Sequence, residues 1–122
     1  MNDFRIEQEF RGTVGVVRLT GALDMYSLPR LGTQLSALFQ QQHFNVLLDC
    51  EDLHYIASAG LGALIGFAKR FRDMGGDLKL VNVPGSVYQI IELLGFTKVL
   101  RVYNQEEEAL ASFDKKCQPS VN

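Results

Sequence analysis

The short run FNVLL, Phe44 to Leu48, carries apolar side chains toward both faces of any strand it forms. Such a run suits the inside of a sheet covered on both sides. VGVVRL (Val14 to Leu19), DLKLVNV (Asp77 to Val83) and VLRVY (Val99 to Tyr103) are strand candidates of similar length. Segments of helical period separate them. Leu31, Leu35, Leu38 and Phe39 share one face of a first helix, and Leu61, Leu64, Ala68 and Phe71 share one face of a second. Val87, Ile90, Ile91 and Leu94 form the buried stripe of a third. Buried strands alternating with helices imply a parallel sheet, because each helix carries the chain back to start the next strand in the same direction.

The beginning of the chain follows another rule. Phe4, Ile6, Gln8 and Phe10 alternate with charged residues, the pattern of a strand with one wet face, and Arg11-Gly12-Thr13 supplies a hairpin turn into Val14. The expected order is therefore β-β-α-β-α-β-α-β-α. The fold class is α/β: a mostly parallel mixed sheet with an N-terminal antiparallel hairpin and helices packed on it. Residues 1–122 read as one domain, with 117–122 expected to be a disordered tail.

Helix ends are marked by small and polar residues. Ser27 is placed to cap the first helix, with Pro29 in its first turn. Ser58 is placed to cap the second, which Gly75 closes. Ser86 and Gln89 have capping-box spacing at the start of the third, and Gly95 ends it. A last helix is expected from Asn104. Glu106, Glu107 and Glu108 form its solvated first turn, and Lys115 and Lys116 lie near its negative end.

A formal net charge of −2 leaves no basic footprint for nucleic acid. No apolar stretch approaches the ~20 residues of a membrane span, and the polar, acidic start MNDFRIEQEF does not fit a signal peptide. A reduced, cytoplasmic setting is expected. Cys50 ends an apolar run and reads as a buried thiol, while Cys117 falls in the expected tail. His43 and His54 lack partners at metal-ligand spacing and read as solvated loop residues, so neither metal nor cofactor is expected.

The stretch YIASAGLGAL, Tyr55 to Leu64, carries one hydroxyl, Ser58. A nucleophile elbow needs G-x-S-x-G; here Ile56 stands at the first glycine, and both histidines precede the serine. A catalytic serine is therefore rejected. At 100° per residue, Ser58, Gly62, Gly66 and Lys69 fall on one outward stripe, with Ala63 and Arg70 beside it. Glycine costs a helix about 1 kcal/mol relative to alanine, so two in one stripe need a reason. Close approach of another chain is one; tight packing inside the domain is the other, and spacing alone leaves both open. A helix N-terminus favours an anion, so a phosphate on Ser58 could be carried without disturbing the domain.

Four pieces, in register over about a hundred residues, resemble the STAS-domain family of anti-sigma-factor antagonists. VVRLTGALD is similar to the family's R-L-x-G-x-L-D, and the strand running into LLDCEDLHYI follows it. ASAGLG, Ala57 to Gly62, is similar to D-S-[ST]-G-L-G, and GGDLKLVNV with a helix ending LLGFTKV continues the order. The resemblance implies a STAS-like fold and a regulatory binding protein with no catalysis of its own. Ser58 would be the phosphoacceptor of an anti-sigma factor that doubles as a serine-protein kinase of the histidine-kinase-like ATPase fold. A PP2C-type phosphatase would reset it. Asp24, Met25 and Tyr26, together with Ala57, Ser58, Ala59, Gly60, Gly62, Ala63, Gly66 and Lys69, would meet the partner, although Asp24 could equally brace its own turn. Ala57 stands where the family often has Asp, and Ala59 where it often has a second hydroxyl. A STAS scaffold that binds partners without a Ser58 switch is the alternative.

Overall fold

The structure is a computed structural model and describes residues 3–114. Lys115, Lys116, Cys117 and the expected 117–122 tail lie outside the described residues. A five-stranded sheet runs in simple sequence order. β1 (Arg5–Arg11) and β2 (Val14–Leu23) form the antiparallel hairpin, turning at Gly12, which takes a left-handed φ of 64°. Beyond them α1 (Leu28–Gln40) leads to β3 (Asn45–Ile56), and α2 (Ser58–Asp73) to β4 (Asp77–Val81). Next come α3 (Gly85–Leu93), a single 3-10 turn at Phe96–Lys98, β5 (Arg101–Tyr103) and α4 (Glu106–Asp114). β2 through β5 pair in parallel, as the alternation implied.

Period-two alternation sends side chains to two separate cores. Val17, Leu19, Val46, Leu48, Leu78 and Leu80 point to the side where α1, α2 and α3 bury Leu35, Leu64, Phe71, Val87 and Ile91. Right-handed crossovers put successive helices on one face in this way. Val14, Val16, Leu47 and Val81 point to the other side, where α4 lays Ala109 and Phe113 over them. Each fully buried side chain of this size contributes about 1.5–3 kcal/mol by leaving water. Cys50 belongs to the first core, and burial, with the neighbouring Asp49 charge, pushes its thiol up to about 12.

Several boundaries differ from the sequence expectation. β3 was expected to end at Leu48 and instead continues to Ile56. Between Arg18 and Thr20 of β2, β3 advances from Asp49 to Asp52, and between Gly21 and Ala22 from Leu53 to Tyr55. Each step holds one extra residue, the signature of a bulge. The inward side chains become Cys50, Leu53 and Ile56, spaced by three. His54 consequently lies on this strand, exposed, and not in a loop; His43 is in a loop but half-buried, its ring 4.6 Å from that of Phe10. β4 stops at Val81 because Asn82 turns left-handed at φ 57°. In α3, Pro84 occupies the cap position, so Ser86 is already helical and no capping box forms, and Leu94 is left 44% exposed.

α4 starts at Glu106, two residues after Asn104, and that glutamate is not a solvated helix start. It accepts hydrogen bonds from Arg11 Nη1 (2.8 Å) and Arg18 Nη1 (3.0 Å), and Arg18 also pairs with Glu9 and Asp49. These carboxylates, Glu106 foremost, raise the Arg18 pKa and keep it charged. The cluster fastens α4 to the hairpin. No helix among the described residues is long and apolar enough to cross a membrane.

Candidate functional site

β2 and β3 end side by side at the carboxyl edge of the sheet, with Leu23 opposite Ile56. One residue beyond each end stand the Asp24 turn and the start of α2. The Ala57 N–H donates to Leu23 C=O at 2.9 Å, tying the two together. Gly60 completes the junction from inside: a Cβ there would meet Leu23 Cγ at 3.2 Å and Ile56 Cγ1 at 3.3 Å. Gly60 is buried, so it packs the site from beneath and is not part of an outward surface.

Ser58 is exposed, and it is the first helical residue of α2. The cap position belongs to Ala57, whose extended φ −80°, ψ 157° lets its carbonyl accept the first helical bond from Leu61 N–H at 3.1 Å. The expectation that Ser58 caps the helix is therefore corrected by one residue. A hydroxyl at this position reaches no orphan N–H, and Ala57 has no side chain that could cap. Among the described residues no side chain caps the first-turn N–H groups, and no acidic residue lies in that turn.

Gly62 and Gly66 continue outward from Ser58. A Cβ built on either meets nothing within 4 Å, so tight packing inside the domain is not what keeps them glycine. Ala59 and Lys69 are exposed with them and Ala63 is half-buried. Arg70 turns away, its guanidinium 4.7 Å from the Phe39 ring of α1.

The turn preceding α1 is held from within. Ser27 holds the cap position of α1, as expected, but makes no side-chain cap bond: its fully buried hydroxyl donates to Ala22 C=O at 2.6 Å and accepts the Asp24 N–H at 2.9 Å. Asp24 does the bracing: Oδ1 accepts from Tyr26 N–H (2.9 Å) and Ser27 N–H (3.1 Å). Ser27, a clamp that spacing had marked only as a cap, and Tyr55, 49% exposed at the end of β3, are two parts of this edge missed in the sequence. The brace leaves Met25 70% and Tyr26 77% exposed on a fixed turn, an arrangement suited to apolar anchoring of a partner.

The Ser27 N–H is the main cause that holds the Asp24 carboxyl below its ordinary value; desolvation opposes it, and the Tyr26 N–H and Ser27 hydroxyl add to it. A depressed folded-state value means the carboxylate's stabilisation is complete above about pH 4 and is lost as pH falls through the depressed value. An NMR titration of the Asp24 carboxyl carbon is expected to show a midpoint below ~3.9, with the Tyr26 and Ser27 amides moving together with it. An ordinary midpoint would mean that these bonds do not hold the turn in solution.

A family model, the STAS domain, matches residues 5–109. The anti-sigma F factor antagonist of Paenibacillus polymyxa is 27% identical over 92% of this chain and 97% of its own. The anti-sigma-B factor antagonist of Bacillus subtilis is 29% identical over 75% and 83% respectively. Among solved structures, the anti-sigma factor antagonist SpoIIAA in its unphosphorylated form superposes with TM-score 0.74 at 22% identity, covering 97% of this chain and all of that one. The phosphorylated form of the Bacillus protein SpoIIAA superposes with TM-score 0.67 at 22% identity over 89% of this chain and 97% of that one. The hairpin-led parallel sheet and the residue 5–109 match together establish that this chain belongs to the STAS-domain family.

Proposed function

We propose that the chain is a phosphorylation-switched anti-sigma-factor antagonist acting in the cytoplasm. Unphosphorylated, it binds an anti-sigma factor that is also an ATP-dependent serine kinase of the histidine-kinase-like fold. Phosphate on Ser58 dissociates the pair, and a PP2C-type phosphatase restores the binding form. The observation that carries this reading is the joining of an exposed Ser58 to the Met25–Tyr26 turn through the Ala57–Leu23 hydrogen bond, with open glycine positions leading away from it.

The chemistry is favourable at each step. An exposed hydroxyl on the first helical residue can enter a kinase active site without unfolding the helix. A phosphoserine adds about −1.5 to −2 charges, and the uncapped N–H groups and dipole of α2 tolerate them. Charge there would damage only a contact with another molecule. The antagonists similar to this chain are binding proteins and not enzymes, and its regulatory reading is of the same kind.

Intact mass after incubation with ATP and a candidate anti-sigma serine kinase from the same genome tests the switch. One phosphate on the wild type, absent from Ser58→Ala, is expected. A wild type that takes up no phosphate yet still binds the kinase would replace the switch with a scaffold role, in keeping with the missing carboxylate at Ala57.

A further inference from the structure

On the α4 side of the sheet, at the end of α2 remote from Ser58, lies a cavity of about 270 Å³ between the Gly75–Gly76 turn and the last turn of α4. One water occupies ~30 Å³ of liquid, so the space holds several non-hydrogen groups. Lys79 and Arg101 are partners in the β4–β5 register and line it from the sheet, while Ser112 and Phe113 line it from α4.

Lys79 is only 6% exposed and forms no ion pair among the described residues. Its ammonium donates to Ser112 Oγ at 2.7 Å and lies 4.4 Å from the Phe113 ring centre. The Ser112 hydroxyl donates a hydrogen bond to Ala109 C=O at 2.6 Å, so it remains neutral and offers Lys79 no negative charge. Burying a cation without a counterion is costly. Desolvation accordingly lowers the Lys79 pKa; Tyr103 and Asp77 oppose the shift and Arg101 adds to it.

Asn45 supplies an independent observation. It is 6% exposed and lines the same cavity, and no described residue hydrogen-bonds its carboxamide. The acid on the cavity wall, Asp77, is already engaged: Oδ1 accepts from Arg72 Nε and Leu78 N–H, each at 2.7 Å, and Oδ2 stands 3.5 Å from Arg101 Nε.

We infer that this cavity binds a phosphate group, as the free ion or a small phosphomonoester, between Lys79, Arg101 and the Asn45 carboxamide. Ammonium, guanidinium and amide all present N–H donors, the complement of an oxyanion carrying more than one charge. Bound phosphate would provide the missing counterion of Lys79. The 16 residues of α2 separate the cavity from Ser58 by ~24 Å, so the cavity does not overlap the proposed partner surface.

The test is an amide and side-chain NMR titration of the full chain with inorganic phosphate and, separately, glycerol 3-phosphate, each against sodium chloride at equal ionic strength. Saturable shifts at the Asn45 carboxamide and the Gly76 amide are expected, unchanged in Ser58→Ala. Tighter binding of inorganic phosphate assigns the site to the free ion, and tighter binding of glycerol 3-phosphate to an ester. Lys79→Met keeps the aliphatic stem and should abolish the shifts. Arg101→Gln, at an exposed position that leaves the fold intact, should weaken binding roughly tenfold or more. Shifts that chloride reproduces, or that persist unchanged in Arg101→Gln, overturn the assignment.

Discussion

Ser58→Asp is expected to weaken binding of the kinase partner by about a hundredfold or more while making the free domain slightly more stable. A hundredfold corresponds to ~2.7 kcal/mol, within the 2–5 kcal/mol that a charge buried without a partner costs at an interface. The carboxylate would stand on the first helical residue, beside Ala57 and Ala59, which leave little bulk between it and an approaching surface. In the free protein the same charge meets the positive end of α2, where an acidic residue is worth about 0.3–1 kcal/mol. Binding and stability should therefore move in opposite directions. Calorimetric titration against the kinase, with thermal melting of the free chain, reads both. Ser58→Ala should bind like the wild type, because the serine hydroxyl makes no hydrogen bond among the described residues. An Asp variant that binds normally would place the start of α2 outside the interface and end the switch model.

How far the sequence could be read depended on how regular the local period was. The helical faces of α1 and α2 and the parallel order followed from spacing, because those elements keep one period throughout. β3 escaped beyond Leu48 because its bulges turn a period of two into one of three: Cys50, Leu53 and Ile56 resemble no ideal strand. Ser27, Ser58 and Ser86 each mark a helix start, yet none caps through its side chain. Composition near a helix end does not fix which residue holds the cap. Glu106 looked solvated because its partner Arg18 is 88 positions away in the chain. For the α4-side cavity a signal was present. Asn45 and Lys79 are polar residues inside otherwise apolar strand runs, and each asks what it meets.

At the proposed partner edge, the sequence narrowed the site to one stripe of α2 and left its glycines with two explanations. The structure separates them, and the separation has a measurable consequence. Gly66→Leu adds a side chain in open space, where helix propensity gains most of the ~1 kcal/mol that glycine forfeits. The free domain should melt a few degrees higher. Kinase affinity should fall by roughly tenfold or more, since a leucine would hold two backbones apart across a contact built for close approach. Gly62→Leu should behave alike, one helical turn nearer Ser58. Gly60→Leu provides the contrast, because its Cβ already crowds Leu23 and Ile56. Overpacking there costs about 1–3 kcal/mol and should lower the melting temperature. If Gly66→Leu stabilised the domain and left kinase binding untouched, the stripe would be free surface and the partner would dock on the Met25–Tyr26 turn alone. Opposite signs of stability at Gly60 and Gly66, with binding lost at Gly66, would mark the outer glycines as kept for the partner at the expense of the fold.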